Sequence, residues 1–379
     1  MNKIEVICQT LCPDGVKYVP LNILVKKFNG IPITAGKMKT LESNGGGMRI
    51  FAGGKTYVDT NDPNYVSAAN SGPAIIVKSR GNIDFDFWSD QYSHKNELWS
   101  YYDAIEETDI KFIYYYLRLN SRYFQALAKT KSVKLPQISA SDTDNFMIPV
   151  PPLKIQKEIV FILDKLSSLE SDLKSQLIKE LDNRSKQFKY YKQRLFEFES
   201  DQKKLSDICT SFSGSFVKKT SQADSFSYPV YNGGANPTGY FGQFNAEANS
   251  IAISARGSMG FVNWVNQRFW AGNSCHVLTV KSDSINSEYL YHYLKVHESD
   301  LINLGRLGSI PALNLEPLMN FEVKIPSLDH QLQILERMSN LNKLNKLLVE
   351  RIEEEINARR KQYEYYLDKL LTFKKLELA

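Results

Sequence analysis

The sequence predicts an α+β protein in which two α/β-mixed globular domains are separated by two long antiparallel coiled-coil helices, arranged as a pseudo-twofold internal repeat. Three observations carry this. First, Pro151-Pro152-Leu153-Lys154-Ile155-Gln156 returns as Pro326-Ser327-Leu328-Asp329-His330-Gln331, an offset of 175 residues, and the register then holds without a gap. Second, the apolar residues that follow each copy recur every three or four positions, the mark of one helical face. Third, the stretches before each copy mix short β-type runs with Gly-rich and Asn-rich turns.

In chain order, the first globular domain spans 1–152. Within it Ala74-Ile75-Ile76-Val77 reads as a strand, and apolar spacing predicts a helix over 109–128. The first long helix follows at 153–199, started by Pro151-Pro152, since proline is tolerated at the first turn only. Its stripe includes Ile162, Leu166, Leu169, Leu173, Leu177 and Leu181. The second domain, 200–326, carries strand-like runs at Ile251-Ala252-Ile253 and His276–Val280 and a helix at 287–303. The second long helix, 327–379, repeats the first: Leu341, Leu344 and Leu348 align with Leu166, Leu169 and Leu173. A stripe about 45 residues long, roughly 65 to 70 Å, needs a partner, and the other copy is the economical one.

The duplication extends into the domains with drifting offsets. Leu21, Phe28 and Gly30 match Leu205, Phe212 and Gly214; Gly53-Gly54 matches Gly233-Gly234; Arg80-Gly81 matches Arg256-Gly257. The helices have held constant while the domains diverged.

Composition narrows the function classes. The 379 residues carry a net charge of +5 without a basic tail, which permits phosphate binding without arguing for it. No apolar run is long enough to span a bilayer, and Met1 to Leu11 lacks the order of a signal peptide, so a cytoplasmic protein without membrane contact is expected. Four cysteines (Cys8, Cys12, Cys209, Cys275) are too few for a disulfide framework, and the histidines have no metal-ligand spacing, so no metal site is expected. Catalytic motifs fail in turn. Gly54-Lys55-Thr56 lacks the first glycine of a phosphate loop, because that position is Arg49, and Gly30 to Lys37 has one residue too many. The single Pro-Pro pair follows Val150 rather than the Asn or Asp that an adenine methyltransferase needs. Asp109 beside Lys111 lacks the further carboxylates of a nuclease, and Gly308-Ser309 forms no nucleophile elbow. No catalytic residue is expected.

With its opening Leu11-Cys12-Pro13-Asp14-Gly15-Val16, the Pro-Pro-Leu to Gln segment and the paired Gln-aromatic-x-Tyr-Tyr stretches, the whole chain resembles the specificity subunits of type I restriction-modification systems. The resemblance implies two target-recognition domains, each reading one half of a split double-stranded DNA target, with helices that set the gap. It also implies two modification subunits that bind S-adenosylmethionine and methylate adenine, and restriction (translocase and nuclease) subunits that join them. No cofactor is then expected on this chain. A structural coiled-coil adaptor whose domains bind protein would explain the helices equally well, but not the retained Gly and Arg loops.

Candidate DNA contacts follow. Arg80 and Asn82, with Lys78 before them, and Arg256 and Ser258 lie where a glycine after a strand lets backbone approach closely, and an Arg there can fork onto a guanine edge or clamp a phosphate; the plain alternative is a surface Arg beside a turn. Gly53, Gly54 and Lys55 match Asn232, Gly233 and Asn236 in loops of small, hydrogen-bonding residues. Lys218 and Lys219 can meet phosphate or simply be solvated. Tyr190, Tyr191 and Leu195, with Tyr365, Tyr366 and Leu370, are candidates for a partner interface, though core packing accounts for some of them.

Overall fold

The computed structural model describes residues 11–42, 46–54, 56–67, 69–132, 134–305 and 311–376. They form two compact units, Met1–Gln176 with Glu355–Ala379, and Leu177–Glu354. The units interleave in sequence: each holds one globular domain and one half of each long helix.

The first unit runs β1 (Lys17–Pro20), α1 (Leu21–Leu24), β2 (Lys26–Asn29), α2 (Ala35–Leu41), β3 (Met48–Phe51), β4 (Tyr57–Thr60), α3 (Pro63–Val66), β5 (Ala74–Lys78), β6 (Asp84–Trp88), β7 (Tyr92–His94), β8 (Trp99–Tyr102), α4 (Ile110–Leu119), α5 (Ser121–Lys131), α6 (Ala140–Asp144) and β9 (Met147–Val150), then enters α7 (Leu153–Arg194). An antiparallel sheet has the order β2-β8-β5-β6, and a second has the order β4-β3-β7, antiparallel on one side of β3 and parallel on the other. The continuous apolar run in β5 is explained by its place: Ile75 and Val77 pack under Ile113, Leu117 and Phe124, while Ala74 and Ile76 face Phe51, Tyr92 and Leu98. Both faces are covered, so the strand shows no alternation. Each such aliphatic side chain contributes about 1.5–3 kcal/mol by burial.

The second unit repeats this plan. After α7 come β10 (Gln202–Lys204), α8 (Leu205–Ile208), β11 (Cys209–Ser213), β12 (Tyr228–Tyr231), β13 (Tyr240–Phe241), β14 (Ser250–Ser254), β15 (Val262–Val265), β16 (Trp270–Ala271), β17 (Cys275–Val280), α9 (Ser287–Val296), α10 (Glu298–Asn303), α11 (Leu315–Met319), β18 (Glu322–Lys324) and α12 (Leu328–Leu371). Its sheets are ordered β11-β17-β14-β15 and β13-β12-β16, the latter again mixing one antiparallel with one parallel pair. Strand for strand, this is the first domain's topology.

Each helix predicted over 109–128 and 287–303 is broken once. Asn120 (φ −91°, ψ 10°) separates α4 from α5, and His297 (φ −97°, ψ 21°) separates α9 from α10. The apolar spacing survives the break because both pieces still face the same sheet.

The long helices are antiparallel within each unit. In the first, Ile155, Ile159 and Leu163 pack with Tyr363, Leu367 and Leu371, and farther along α7 Leu166, Leu169 and Leu173 lie by Arg359 and Gln362. In the second, Phe196 shares a core with Ile334 and Met338, and the Phe198 ring lies 5.0 Å from that of His330.

The repeated glutamine has a specific task. Gln156 Nε2 donates to the carbonyls of Pro151 (2.7 Å) and Glu107 (2.9 Å), and its Oε1 accepts from Asp109 N–H (2.8 Å). Gln331 does the same with Pro326 (2.8 Å), Ser284 (2.9 Å) and Asn286 (2.8 Å). Both side chains are fully buried. The bonds tie the first turn of each long helix to the residue that caps α4 or α9, and burial makes each of them costly to lose.

Candidate nucleic-acid interface

In the first domain β5 and β6 form a hairpin whose turn carries Arg80-Gly81-Asn82. Gly81 sits at φ +75°, where glycine is favoured. The turn is strapped from behind: Gly81 N–H donates to Pro136 O, Ile138 N–H to Ser79 O, and Gln125 bonds both Gly81 O and Ile83 N–H. A fixed backbone thus presents Arg80, which is exposed and has no side-chain partner among the described residues.

Beside the hairpin is a cavity of about 450 Å³, which gathers Gly54, Lys78 and Asn82 with Arg49, Asp86 and Trp88. Gly53 and Gly54 form the β3–β4 turn, with open space around both, and Lys55 lies outside the described residues. Lys78 is not a free surface charge. Its side chain is 5% exposed, its ammonium lies 3.1 Å from Asp86 Oδ2, and the Phe51 ring is 4.8 Å away, because its strand is covered on both faces.

Arg49, Asp86 and Trp88 were missed by the sequence reading. Arg49 donates twice to Asp59 (2.7 and 2.9 Å) and lies 3.7 Å from the Tyr57 centroid and 4.3 Å from that of Trp88. The pairing raises the Arg49 pKa and lowers that of Asp59. The available signal was the alternation in Asp84-Phe85-Asp86-Phe87-Trp88, which puts Asp84, Asp86 and Trp88 on one face of β6.

The second domain brings its candidates together by direct contact. The β14–β15 turn carries Arg256-Gly257-Ser258, and Ser258 N–H donates to Gly233 O (2.9 Å) in the Asn232–Asn236 loop. A Cβ on Gly233 would lie 2.4 Å from Arg256 O, and one on Gly257 2.7 Å from Gly233 O, so both glycines, at φ +85° and +74°, are required by close approach. Asn232 Oδ1 accepts from Ser274 N–H (3.2 Å), and Asn263 Nδ2 donates to Gly234 O (3.1 Å). Arg256 is exposed and, among the described residues, unpaired; Asn236 is exposed as well. Lys218 and Lys219 are exposed on a neighbouring loop, reached through Ser215 N–H to Ala271 O and Gly272 N–H to Tyr231 O. The strap is also repeated, with Leu313 N–H donating to Ala255 O.

Of the partner-face candidates, Tyr190, Tyr191, Tyr365 and Tyr366 are exposed on the helices. Leu370 is buried beside Tyr363 and Leu367, and Leu195 packs against the second domain's core, so the apolar stripe takes both inward. Among the described residues no group of acidic, His or Cys side chains is arranged to hold a metal, and no helix is long and apolar enough to cross a membrane.

Two copies of one fold, each with an Arg-bearing hairpin turn and each joined to paired long helices, define a two-module recognition protein. The family model for the type I restriction modification DNA specificity domain matches residues 25–183 and again 198–358, and the chain belongs to this family. It is 27% identical over 374 residues to the type I restriction enzyme EcoR124I/EcoR124II specificity subunit of Escherichia coli, covering 86% of this chain and 87% of that one. Its fold is similar to the HsdS subunit from Thermoanaerobacter tengcongensis (TM-score 0.58, 16% identity, 95% and 97% covered). A chain solved in work on assembly and conformational transition of the type I R-M system gives TM-score 0.71 at 16% identity, with 94% and 97% covered. The two domains are DNA-recognition domains, and a specificity subunit is the target-selecting rather than the catalytic component of its enzyme.

Proposed function

We propose that this chain reads a bipartite, asymmetric duplex-DNA target, one half with each domain. The observation that carries the reading is the strapped hairpin turn built twice, with Arg80 and Arg256 unpaired among the described residues at equivalent positions of two otherwise diverged sequences. The major groove offers each base pair a distinct pattern of donors and acceptors, and an unpaired guanidinium suits guanine O6 and N7. Because the surrounding residues differ between domains, the half-sites differ too. Lys218, Lys219 and the small-residue loops supply phosphate and backbone contacts.

In this reading the long helices set the spacer, and two modification subunits dock on the chain with the exposed tyrosines as part of their footing. Those subunits hold S-adenosylmethionine and methylate adenine, restriction subunits join the assembly, and this chain binds no cofactor. The whole operates in the cytoplasm, on the cell's own DNA.

The test is co-expression with the cognate modification subunit, followed by single-molecule sequencing for N6-methyladenine. A split, asymmetric motif is expected, with Arg80→Ala and Arg256→Ala each degrading a different half. An assembled complex that methylates without a split motif would overturn the reading. Inserting a heptad into each long helix, after Glu180 and after Glu355, adds about 10 Å, or about three base-pair steps; a spacer left unchanged by an active insertion variant would sink the strut role.

A further inference from the structure

The cavity beside the β5–β6 hairpin is charged and aromatic, and the hairpin-turn arginine does not line it. We propose that this cavity makes a second base-specific contact in the first domain, with Asp86 accepting from the exocyclic amino group of an adenine or cytosine and Arg49 donating to the neighbouring acceptor on the same base pair. The inference rests on the reading of the chain as a two-half DNA reader.

Three features point to a base rather than a phosphate. The carboxylates of Asp84 and Asp86 line the cavity, and like charge repels a phosphate while a carboxylate is the acceptor that suits an amino group. Among the described residues, the two cations that line it are already engaged: Lys78 is held by Asp86, and Arg49 is doubly bonded to Asp59. A site with balanced charge, donors, acceptors and flat apolar walls matches an uncharged heterocycle.

Second, Arg49 is set in place before any ligand arrives. Its guanidinium lies over the Tyr57 and Trp88 rings, and its Nε and Nη2 are fixed by Asp59, which leaves Nη1 without a bond to Asp59. An arginine held this way loses little freedom on forming another hydrogen bond. Arg80, exposed and without a side-chain partner among the described residues, has no such preparation, so the cavity's contact is separate from the one Arg80 makes at the turn.

Third, the second domain has spent the same position differently. In the pairing of β14 with β15, Ala252 faces Asn263 as Ile76 faces Asp86 in the first domain. Asn263 turns its amide to Gly234 O and holds the loop; Asp86 turns a half-exposed carboxylate to the cavity. Asp86 Oδ2 answers the buried Lys78 ammonium, and the rest of its half-exposed carboxylate is left facing the cavity.

The experiment uses the chain assembled with its modification subunits and duplexes carrying the mapped target. In the first half-site each adenine is replaced by purine and each cytosine by 2-pyrimidinone, which removes only the amino group. Binding is measured with the unaltered chain and with Asp86→Asn. At one position other than the methylated adenine, removal of the amino group is expected to weaken binding of the unaltered chain roughly 10- to 100-fold. Asp86→Asn is expected to bind the two duplexes about equally, with selectivity at the second half-site as the internal check that it folds. Should Asp86→Asn misfold, Arg49→Lys gives the second reading, by losing discrimination at the same base pair. Specific binding that tolerates every amino-group deletion outside the methylated adenine overturns the cavity's assignment alone. An assembled complex with no sequence-specific binding overturns the two-half reading and this inference together.

Discussion

In the first domain Gly54 turns through open space, whereas in the second Gly233 is pressed against the backbone of Arg256. The two share a strand order, a strapped hairpin and a glutamine clamp, yet one surface surrounds a cavity and the other is two loops locked together. The difference teaches where each domain stores its shape: the first in stacked and paired side chains around Arg49, the second in main-chain contacts that only small residues permit. The first surface is therefore expected to tolerate backbone changes and punish side-chain changes, and the second the reverse.

The largest effects test what the domains share. Gln156→Leu and Gln331→Leu each remove three hydrogen bonds made by a buried side chain and strand an N–H and two carbonyls, and each is expected to cost about 3 kcal/mol or more in denaturant unfolding. Unequal losses would break the equivalence of the two clamps. Next comes the contrast between glycines. Gly233→Ala combines left-handed backbone strain with a Cβ 2.4 Å from a carbonyl oxygen and should cost about 3 kcal/mol. Gly54→Ala meets no atom, so only its φ of +65° counts, about 1 kcal/mol. Equal costs would remove the distinction drawn between the two surfaces.

A smaller effect is shared through acid. Burial pushes His94 in the first domain and His292 in the second down to about 4. A folded-state value below the unfolded value of about 6.5 means that the unfolded chain takes up the proton first, so stability is intact above pH 6.5 and falls as pH drops toward 4. Each histidine is expected to contribute a loss of about 2 kcal/mol between pH 7 and 5. Hydrogen exchange resolved by domain would measure it, and a flat profile in either domain would show its histidine already protonated or exposed. Smallest of all, Tyr190→Ala and Tyr365→Ala should change stability by less than about 0.5 kcal/mol while weakening co-purification with the modification subunit. A large stability loss would move these tyrosines from the partner face to the core.

The helices were legible because a 3.6-residue period over more than forty residues has no competing interpretation, and a second copy in register removes coincidence. Sheet order was not, since the parallel pairs β3–β7 and β12–β16 join strands about forty residues apart, and nothing local encodes such pairing. The arginine turns were legible through the glycine beside each. Lys78 misled because a lysine at a strand end reads as exposed until the strand proves central, and Leu370 because the tyrosines beside it face outward while the apolar stripe it belongs to faces inward. Arg49 escaped because its partners come from β4 and β6, brought together only by the fold.

Gln156 and Gln331 bond only to main-chain groups of the domain they secure. Every amino acid offers a carbonyl, and all but proline an amide, so the joint asks almost nothing of the residues it grips. A recombination event that swaps one whole domain for an unrelated allele would find the same fitting waiting, and a lineage could change the word it recognises in a single step while leaving its scaffold untouched.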